Sequence, residues 1–127
     1  MASDKPINDY RDLVAWQRAI DLAVLVDEVC DRLPRKHWDL AQQMRRAANS
    51  VHSNIAEGNG RASVRDYLRH LSMSSASLNE LESDLYFLSR KYGEKSQANN
   101  ALKLVVDVRK PLLGLVKSLR RKRDQNE

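Results

Sequence analysis

Residues 63–92, SVRDYLRHLSMSSASLNELESDLYFLSRKY, decide the fold of this chain. Apolar side chains recur here at spacings of three and four, which is the period of one face of an α-helix. Ser63, followed three residues later by Asp66, is similar to a capping box, and Gly93 is a typical residue after a helix. The stretch therefore predicts one helix of roughly 30 residues, about 45 Å long. Its apolar positions are Val64, Tyr67, Leu71, Leu78, Leu81, Leu85, Leu88 and Tyr92.

Three further helical patterns surround this one. The first begins near Asp9 or Asp12 and ends before Pro34, and the second begins at Asp39 and ends at the glycines 58 and 60. The fourth follows Ser96, and Pro111 interrupts it, so we expect a kink or a break into two pieces. Short links between long helices predict an all-α, antiparallel, up-and-down four-helix bundle.

The length of 127 residues fits a single domain. We expect one domain over residues 1–127, with a core from about 10 to 119 and a basic tail at 120–127. Residues 1–10 lack the basic and apolar regions of a secretory signal, no run is long enough to span a membrane, and the lone Cys30 excludes an intrachain disulfide. These features favour a cytoplasmic protein that is not inserted in a membrane.

The first helical pattern carries more apolar residues than the edge helix of a monomeric bundle requires. One stripe contains Leu22, Leu25, Val26, Val29 and Leu33, and a second stripe lies beside it. An apolar arc of this width predicts that the helix also packs against another chain. We therefore expect a homo-oligomer. The second stripe consists of Leu13, Trp16, Ile20 and Val24.

The positive charge is concentrated near the C-terminus. Residues 1–108 hold 15 basic and 15 acidic side chains, whereas residues 109–123 hold seven basic side chains and no acidic one. A cationic cluster on a neutral body is typical of a surface that binds a polyanion such as RNA or DNA. It is equally compatible with a solvated helix end, where cations favour the negative pole of the helix dipole. The candidate phosphate-binding residues are Arg109, Lys110, Lys117, Arg120, Arg121, Lys122 and Arg123.

Two other groups of residues are weaker candidates for nucleic-acid contact. Arg61, Arg65 and Arg69 are spaced by four and would share a helical face. Trp16 and Trp38 could stack on bases, although tryptophans at the starts of amphipathic helices are more often core or interface anchors.

Polar groups also converge where the second helix meets the third. Glu57 lies at the negative end of a helix dipole, so we expect a cationic partner such as Arg61 or Arg46, or the N-terminus of the third helix. The predicted role of this junction is structural. Its members are Asn54, Glu57, Gly58, Gly60 and Arg61.

No pattern indicates catalysis. His37, His52 and His70 lie in different elements and none has a metal-ligand spacing, and no glycine-rich phosphate loop follows a strand. We therefore expect neither an enzyme, nor a metal site, nor a cofactor.

Three segments, read in order, resemble a known bacterial family. They are YRDLVAWQRAIDLA from Tyr10, QQMRRAANSVHSNIAEGNGRAS from Gln42 and DYLRHLSMSSASLNELESDL from Asp66. The chain resembles the four-helix-bundle 23S rRNA intervening-sequence proteins, to which the accessory variability proteins of diversity-generating retroelements are related. The resemblance covers roughly Tyr10 to Leu119, and its most specific part lies between Ser50 and Arg61.

This resemblance implies a ring-like homopentamer with a basic surface. For the retroelement relatives it implies that the assembly binds a reverse transcriptase and nucleic acid. Together with the charge pattern, it predicts a small oligomeric accessory protein that binds RNA or DNA through phosphates, with a reverse transcriptase as a candidate partner. The alternative is a protein-interaction scaffold with no direct role in nucleic-acid binding.

Overall fold

The computed structural model describes residues 9–125 and shows four long helices. Most of the N-terminal segment that we compared with a secretory signal, and the last two residues of the predicted basic tail, lie outside this range. The helices are α1 (Val14–Asp31), α2 (Trp38–Asn59), α3 (Val64–Tyr92) and α4 (Ala98–Gln125). The all-helical, four-helix prediction is confirmed.

The four helices form an up-and-down bundle. Within the described residues each helix packs against two neighbours, in the cycle α1–α2–α3–α4–α1, and the diagonal pairs are not neighbours. Side-chain contacts show the antiparallel directions: Cys30 near the end of α1 contacts Ala41 near the start of α2, and Ser89 near the end of α3 contacts Asn99 near the start of α4. The predicted topology is therefore the observed one.

The predicted apolar faces form the core. The positions from Leu71 to Leu88 on α3 are at most 1% exposed, whereas Tyr92 at the end of the same stripe is 40% exposed. The fully buried large side chains come from all four helices: Leu22, Val26, Met44, Val51, Ile55, Leu71, Leu78, Leu81, Leu85, Leu88, Val105 and Leu112. Leu115 and Leu119 of the predicted α4 face are only partly buried against this core.

Two of the predicted helix starts are wrong. Asp9 caps a separate 3₁₀ turn at Tyr10–Asp12, and α1 begins after it, because Leu13 is extended and provides no side-chain cap. The second helix begins at Trp38, so Asp39 lies in its first turn and does not cap it. There Asp39 still interacts favourably with the positive end of the helix dipole.

The predicted signals around α3 are confirmed. The Ser63 hydroxyl accepts a hydrogen bond from the backbone N–H of Asp66 at 3.1 Å, as an N-cap does. Gly93 follows the helix with φ of +80°, a conformation that strains residues with a Cβ. At the end of α2, Gly60 is the C-cap, but Gly58 lies inside the helix and has a packing role.

The fourth helix is continuous through Pro111. The alternative in which α4 divides into two pieces is therefore wrong, and its basic residues do not form a separate arm. Leu112, directly after the proline, is 1% exposed. Burial of this side chain stabilises the helix beyond the position where Pro111 lacks a backbone donor.

The second apolar stripe of α1 is only partly covered, because Leu13 and Trp16 pack against the edge of the core and Val24 lies outside it. Trp16 and Ile20 are half-buried and Val24 is 56% exposed, whereas Leu22 and Val26 of the other stripe are fully buried. An apolar outer face is thus present on α1. In the part of the chain that the structure describes, no helix combines the length and the apolar character needed to cross a lipid bilayer.

Candidate nucleic-acid interface

The candidate basic residues of α4 fall into two groups. Arg109 is half-buried and directed at α3: its guanidinium donates to both carboxylate oxygens of Glu82, at 2.9 and 3.1 Å, and to Asn79 at 2.8 Å. A bidentate pair of this kind fixes the guanidinium in one orientation. Arg109 therefore joins α3 to α4, and its guanidinium is already paired with the carboxylate of Glu82.

The remaining basic residues of α4 are exposed. Lys110 lies beside Pro111 at an open groove of about 730 Å³ between α1 and α4, which Val14, Arg18 and Val106 also line. Four exposed basic residues nearer the helix end have no acidic partner within residues 9–125, and they are Lys117, Arg120, Arg121 and Lys122. The neighbouring Arg123 donates to Asp124 at 3.1 Å.

The second group of arginines does not share one helical face as expected. Arg61 lies in the link before α3, and its backbone N–H bonds to the carbonyl of Gly58 at 3.1 Å. Arg65 and Arg69 are on the first two turns of α3, and Arg69 lies 3.9 Å from Asp66. All three side chains are exposed.

The antiparallel topology brings these two groups to the same end of the bundle. Residue Arg109 of α4 lies beside Glu82 of α3, so the following turns of α4 run towards the start of α3. Arg61 and Arg65 are at that start. We call this surface the basic end, and it comprises Arg61, Arg65, Arg69, Lys117, Arg120, Arg121, Lys122 and Arg123. These eight cations outnumber the nearby acids Glu57, Asp66 and Asp124, so this end carries a positive potential that attracts polyanions.

The predicted junction between α2 and α3 contains a close approach of the two helices. A Cβ built on Gly58 would lie 2.9 Å from Cδ1 of Tyr67 and 3.0 Å from Cβ of His70. Only a residue without a Cβ fits here. The Tyr67 hydroxyl accepts from the amide of Asn59 at 3.2 Å, and burial raises the pKa of Tyr67.

Polar contacts also join α2 to α3 near this close approach. Asn54 is 7% exposed; its amide oxygen lies 3.1 Å from Nδ1 of His70, and its NH₂ group donates to the backbone carbonyl of Ser50. The carboxylate of Glu57 lies 3.6 Å from the same His70 nitrogen, so its closest ionic neighbour is His70 and not the expected Arg61 or Arg46. Asn54 and Glu57 of α2 therefore both lie against His70 of α3.

Two other titratable side chains, Cys30 and His52, have pKa values shifted by burial. Within residues 9–125 no set of three His, Cys, Asp or Glu side chains is arranged to hold a metal ion. Cys30 is buried against the Ala41 carbonyl, and burial raises the pKa of its thiol to about 11, which disfavours the nucleophilic thiolate. Burial also lowers the pKa of His52.

A group of exposed aromatic side chains was not predicted from the sequence. Trp38 is 64% exposed, Tyr86 54% and Phe87 52%, and all three lie near the junction between the start of α2 and the end of α3. Of the two expected roles for Trp38, the core anchor is wrong, and its exposure leaves the interface anchor as the alternative to base stacking. The signal that could have identified it was its position close to Arg35 and Lys36, because a turn rich in charged residues favours exposure of the side chain after it.

These features define a class of protein: a four-helix bundle with a cluster of exposed basic residues where α4 ends and α3 begins. A family model described as 23S rRNA-intervening sequence protein matches residues 11–114. The chain therefore belongs to the 23S rRNA-intervening sequence protein family. Comparison with curated proteins finds no match.

Proposed function

We propose that this protein is an oligomeric nucleic-acid-binding accessory protein that holds RNA or DNA by its phosphates at the basic end. One observation carries the proposal: Lys117, Arg120, Arg121 and Lys122 are exposed on α4 and have no acidic partner within residues 9–125. Unpaired cations gain most from phosphate contact, because they release the counterions of the nucleic acid and break no internal ion pair. Membership of a family named for an rRNA insertion is compatible with this chemistry.

The helix dipole does not account for this cluster. The dipole favours cations only within the last turn of a helix. Lys117 lies two turns before the end of α4 at Gln125, and Arg65 is in the first turn of α3, at the positive pole of that helix. The basic end therefore contains cations that a helix dipole does not favour, and phosphate binding gives them a role.

Oligomer formation would multiply this charge. The outer face of α1, with Val24 56% exposed, is the surface we assign to contact between copies. Several basic ends held in one assembly bind a single nucleic acid at high effective concentration, so weak individual contacts add up to strong binding. The resemblance to the accessory variability proteins suggests five copies and adds a reverse transcriptase as a candidate partner.

The groove between α1 and α4 favours a second candidate function, a protein-interaction scaffold. Val14 and Val106 are 52% and 61% exposed at this groove, and two cations, Arg18 and Lys110, border it with one acid, Asp107. Such a surface fits a partner helix with apolar and acidic side chains. Binding of that kind depends weakly on salt, whereas phosphate binding depends on it steeply.

The test is binding of labelled structured RNA and duplex DNA across a salt series, with the solution mass measured in the same buffers. The variant R120Q/R121Q/K122Q should reduce the slope of log affinity against log salt by up to about 3 for each bound protomer. The matched control is R18Q/R46Q/K103Q, which removes the same net charge from sites away from the basic end.

Two results would contradict the proposal. One is equal binding by the two variants, because charge position would then be irrelevant. The other is no binding to either nucleic acid at low salt, which would favour the scaffold.

A further inference from the structure

The end of the bundle opposite the basic end combines exposed aromatic rings with unpaired cations. Trp38 begins α2, and Tyr86, Phe87 and Tyr92 lie in the last two turns of α3, which is antiparallel to α2. Between 40% and 64% of each of these side chains is exposed. We call this surface the aromatic end.

A single histidine holds part of this surface rigid. Nε2 of His37 lies 2.7 Å from the hydroxyl of Tyr92, and the His37 ring packs edge-on against Tyr92 and Phe87, with ring centroids 5.8 and 6.2 Å apart. These contacts join the turn before α2 to the end of α3. The rings of Phe87 and Tyr92 are therefore fixed before any ligand arrives, which lowers the entropy cost of binding.

The charge around the rings is positive. Residues 32–39 and 86–97 together hold six basic side chains and two acidic ones, Asp39 and Glu94. The acids that flank these ranges, Asp31 and Asp84, are bonded to Arg45 and Gln43. The six basic residues have no acidic partner within residues 9–125. They are Arg32, Arg35, Lys36, Arg90, Lys91 and Lys95. Beside Tyr92, an open pocket of about 260 Å³ has mainly apolar walls that include Leu33 and Pro34, with Arg32 also in its lining.

We propose that the aromatic end binds single-stranded nucleic acid, with bases stacked on Trp38 and Phe87 and phosphates held by the surrounding lysines and arginines. Exposed rings within a cationic surface are the combination that unpaired bases and their backbone require. A duplex offers no free base faces, so it meets only the charges.

Charge distinguishes this ligand from a protein partner. Lysine is depleted from protein–protein interfaces, yet Lys36, Lys91 and Lys95 border these rings. A second copy docked on the same surface would place six cations against six, and the chain as a whole carries a net charge of +5. A polyanion has the complementary charge.

Trp38 provides a direct probe, because the chain has only two tryptophans. In the full-length variant W16F, the fluorescence comes from Trp38 alone. We expect a 15-nucleotide oligo(dT) to quench this signal and the oligo(dT)–oligo(dA) duplex of the same length to leave it nearly unchanged. Substitution F87A in that background should weaken the oligo(dT) complex by about 5- to 100-fold. The matched control is M73A, another half-exposed apolar side chain on α3 that lies outside the surface.

The two binding proposals fail separately. The variant R120Q/R121Q/K122Q should retain the Trp38 quench, and W38A should retain duplex binding at the basic end. The inference is overturned if oligo(dT) does not quench the Trp38 fluorescence, or if the duplex quenches it equally. It is also overturned if W38A has a lower solution mass, because the aromatic end would then lie between copies. Because Trp38 is 64% exposed, W38A should keep the far-ultraviolet circular dichroism of the folded bundle.

Discussion

Gly58 illustrates how one missing Cβ positions two helices. In the variant G58A the new methyl group would overlap Tyr67 and the Cβ of His70, and the latter cannot rotate away. Overpacking of this kind costs about 1–3 kcal/mol, against a gain of up to about 1 kcal/mol from the higher helix propensity of alanine. We expect a net decrease in the free energy of unfolding, measured with urea.

Gly114 is the matched control for this prediction. It lies inside α4, and a Cβ built there meets nothing within 4 Å. G114A should therefore raise the free energy of unfolding by roughly 0.5–1 kcal/mol. If both substitutions stabilise the protein equally, the close approach at Gly58 has no energetic importance.

The buried thiol of Cys30 gives a prediction about pH. Because burial raises its pKa from 9.0 to about 11, only about one molecule in 1,000 is a thiolate at pH 8. Native protein should react with an aromatic disulfide reagent far more slowly than protein in urea. Above pH 9 the unfolded thiol ionises first, so stability should fall as the pH rises towards 11. Equal reaction rates in native and unfolded protein would contradict this.

For single residues, the sequence predicted their place in the fold better than it predicted the side chains that they contact. The convergence of Asn54, Glu57 and Gly58 at one junction could be inferred from their place between two helical patterns. Their contact with His70 could not, because it depends on the rotation of α3 about its axis, which residue spacing defines only to within a face. The same uncertainty led us to expect Arg61 beside Glu57.

The ion pair between Arg109 and Glu82 joins two whole elements. Its side chains are 32% and 24% exposed, so solvent screens the pair less than a fully exposed one. We expect R109Q to lower the free energy of unfolding by about 1–2 kcal/mol, since it leaves the carboxylate of Glu82 without its bidentate donor.

R18Q is the control for that measurement. Arg18 lies 4.0 Å from Asp21 on the same helix, and both side chains are more than half exposed. Exposed pairs of this kind contribute about 0.5 kcal/mol or less. Thermal unfolding of R109Q and R18Q at low and high salt distinguishes the two ion pairs. If both substitutions have a similarly small effect, the pair between Arg109 and Glu82 is not important for stability.

Elements with a regular apolar repeat could be predicted from sequence, whereas their exact starts could not. The α3 boundaries follow from Ser63 and Gly93, two residues whose backbone preferences are strong. The start of α2 at Trp38 depends instead on a 3₁₀ turn at Arg35–His37, which has no side-chain cap. The continuity of α4 through Pro111 reflects burial of Leu112, a tertiary effect that outweighs local preference.

For the whole molecule, the outer face of α1 gives the prediction about assembly. Val24 is 56% exposed, so V24K should leave the protomer folded but lower the solution mass by placing a charge in the contact between copies. The control is V106K, a similarly exposed valine on α4. Equal masses for V24K and the unsubstituted protein would exclude this face of α1 from the contact.

The excess of positive charge near the C-terminus could be predicted from the sequence, because it depends only on the numbers of basic and acidic residues along the chain. The gathering of Arg61, Arg65 and the end of α4 at one surface required the topology. The aromatic end could not be predicted at all from spacing, since Trp38 and Phe87 belong to different helices.

The length of α3 has a consequence for any nucleic acid that contacts both ends of the bundle. This helix has 29 residues and is about 43 Å long, so Arg65 in its first turn and Tyr92 at its end lie about 40 Å apart. A nucleic acid that contacts both positions must extend over that distance and present a single-stranded segment to the aromatic end. Shorter ligands can contact only one of these two positions at a time. The affinity should therefore increase sharply once the nucleic acid is long enough to contact both.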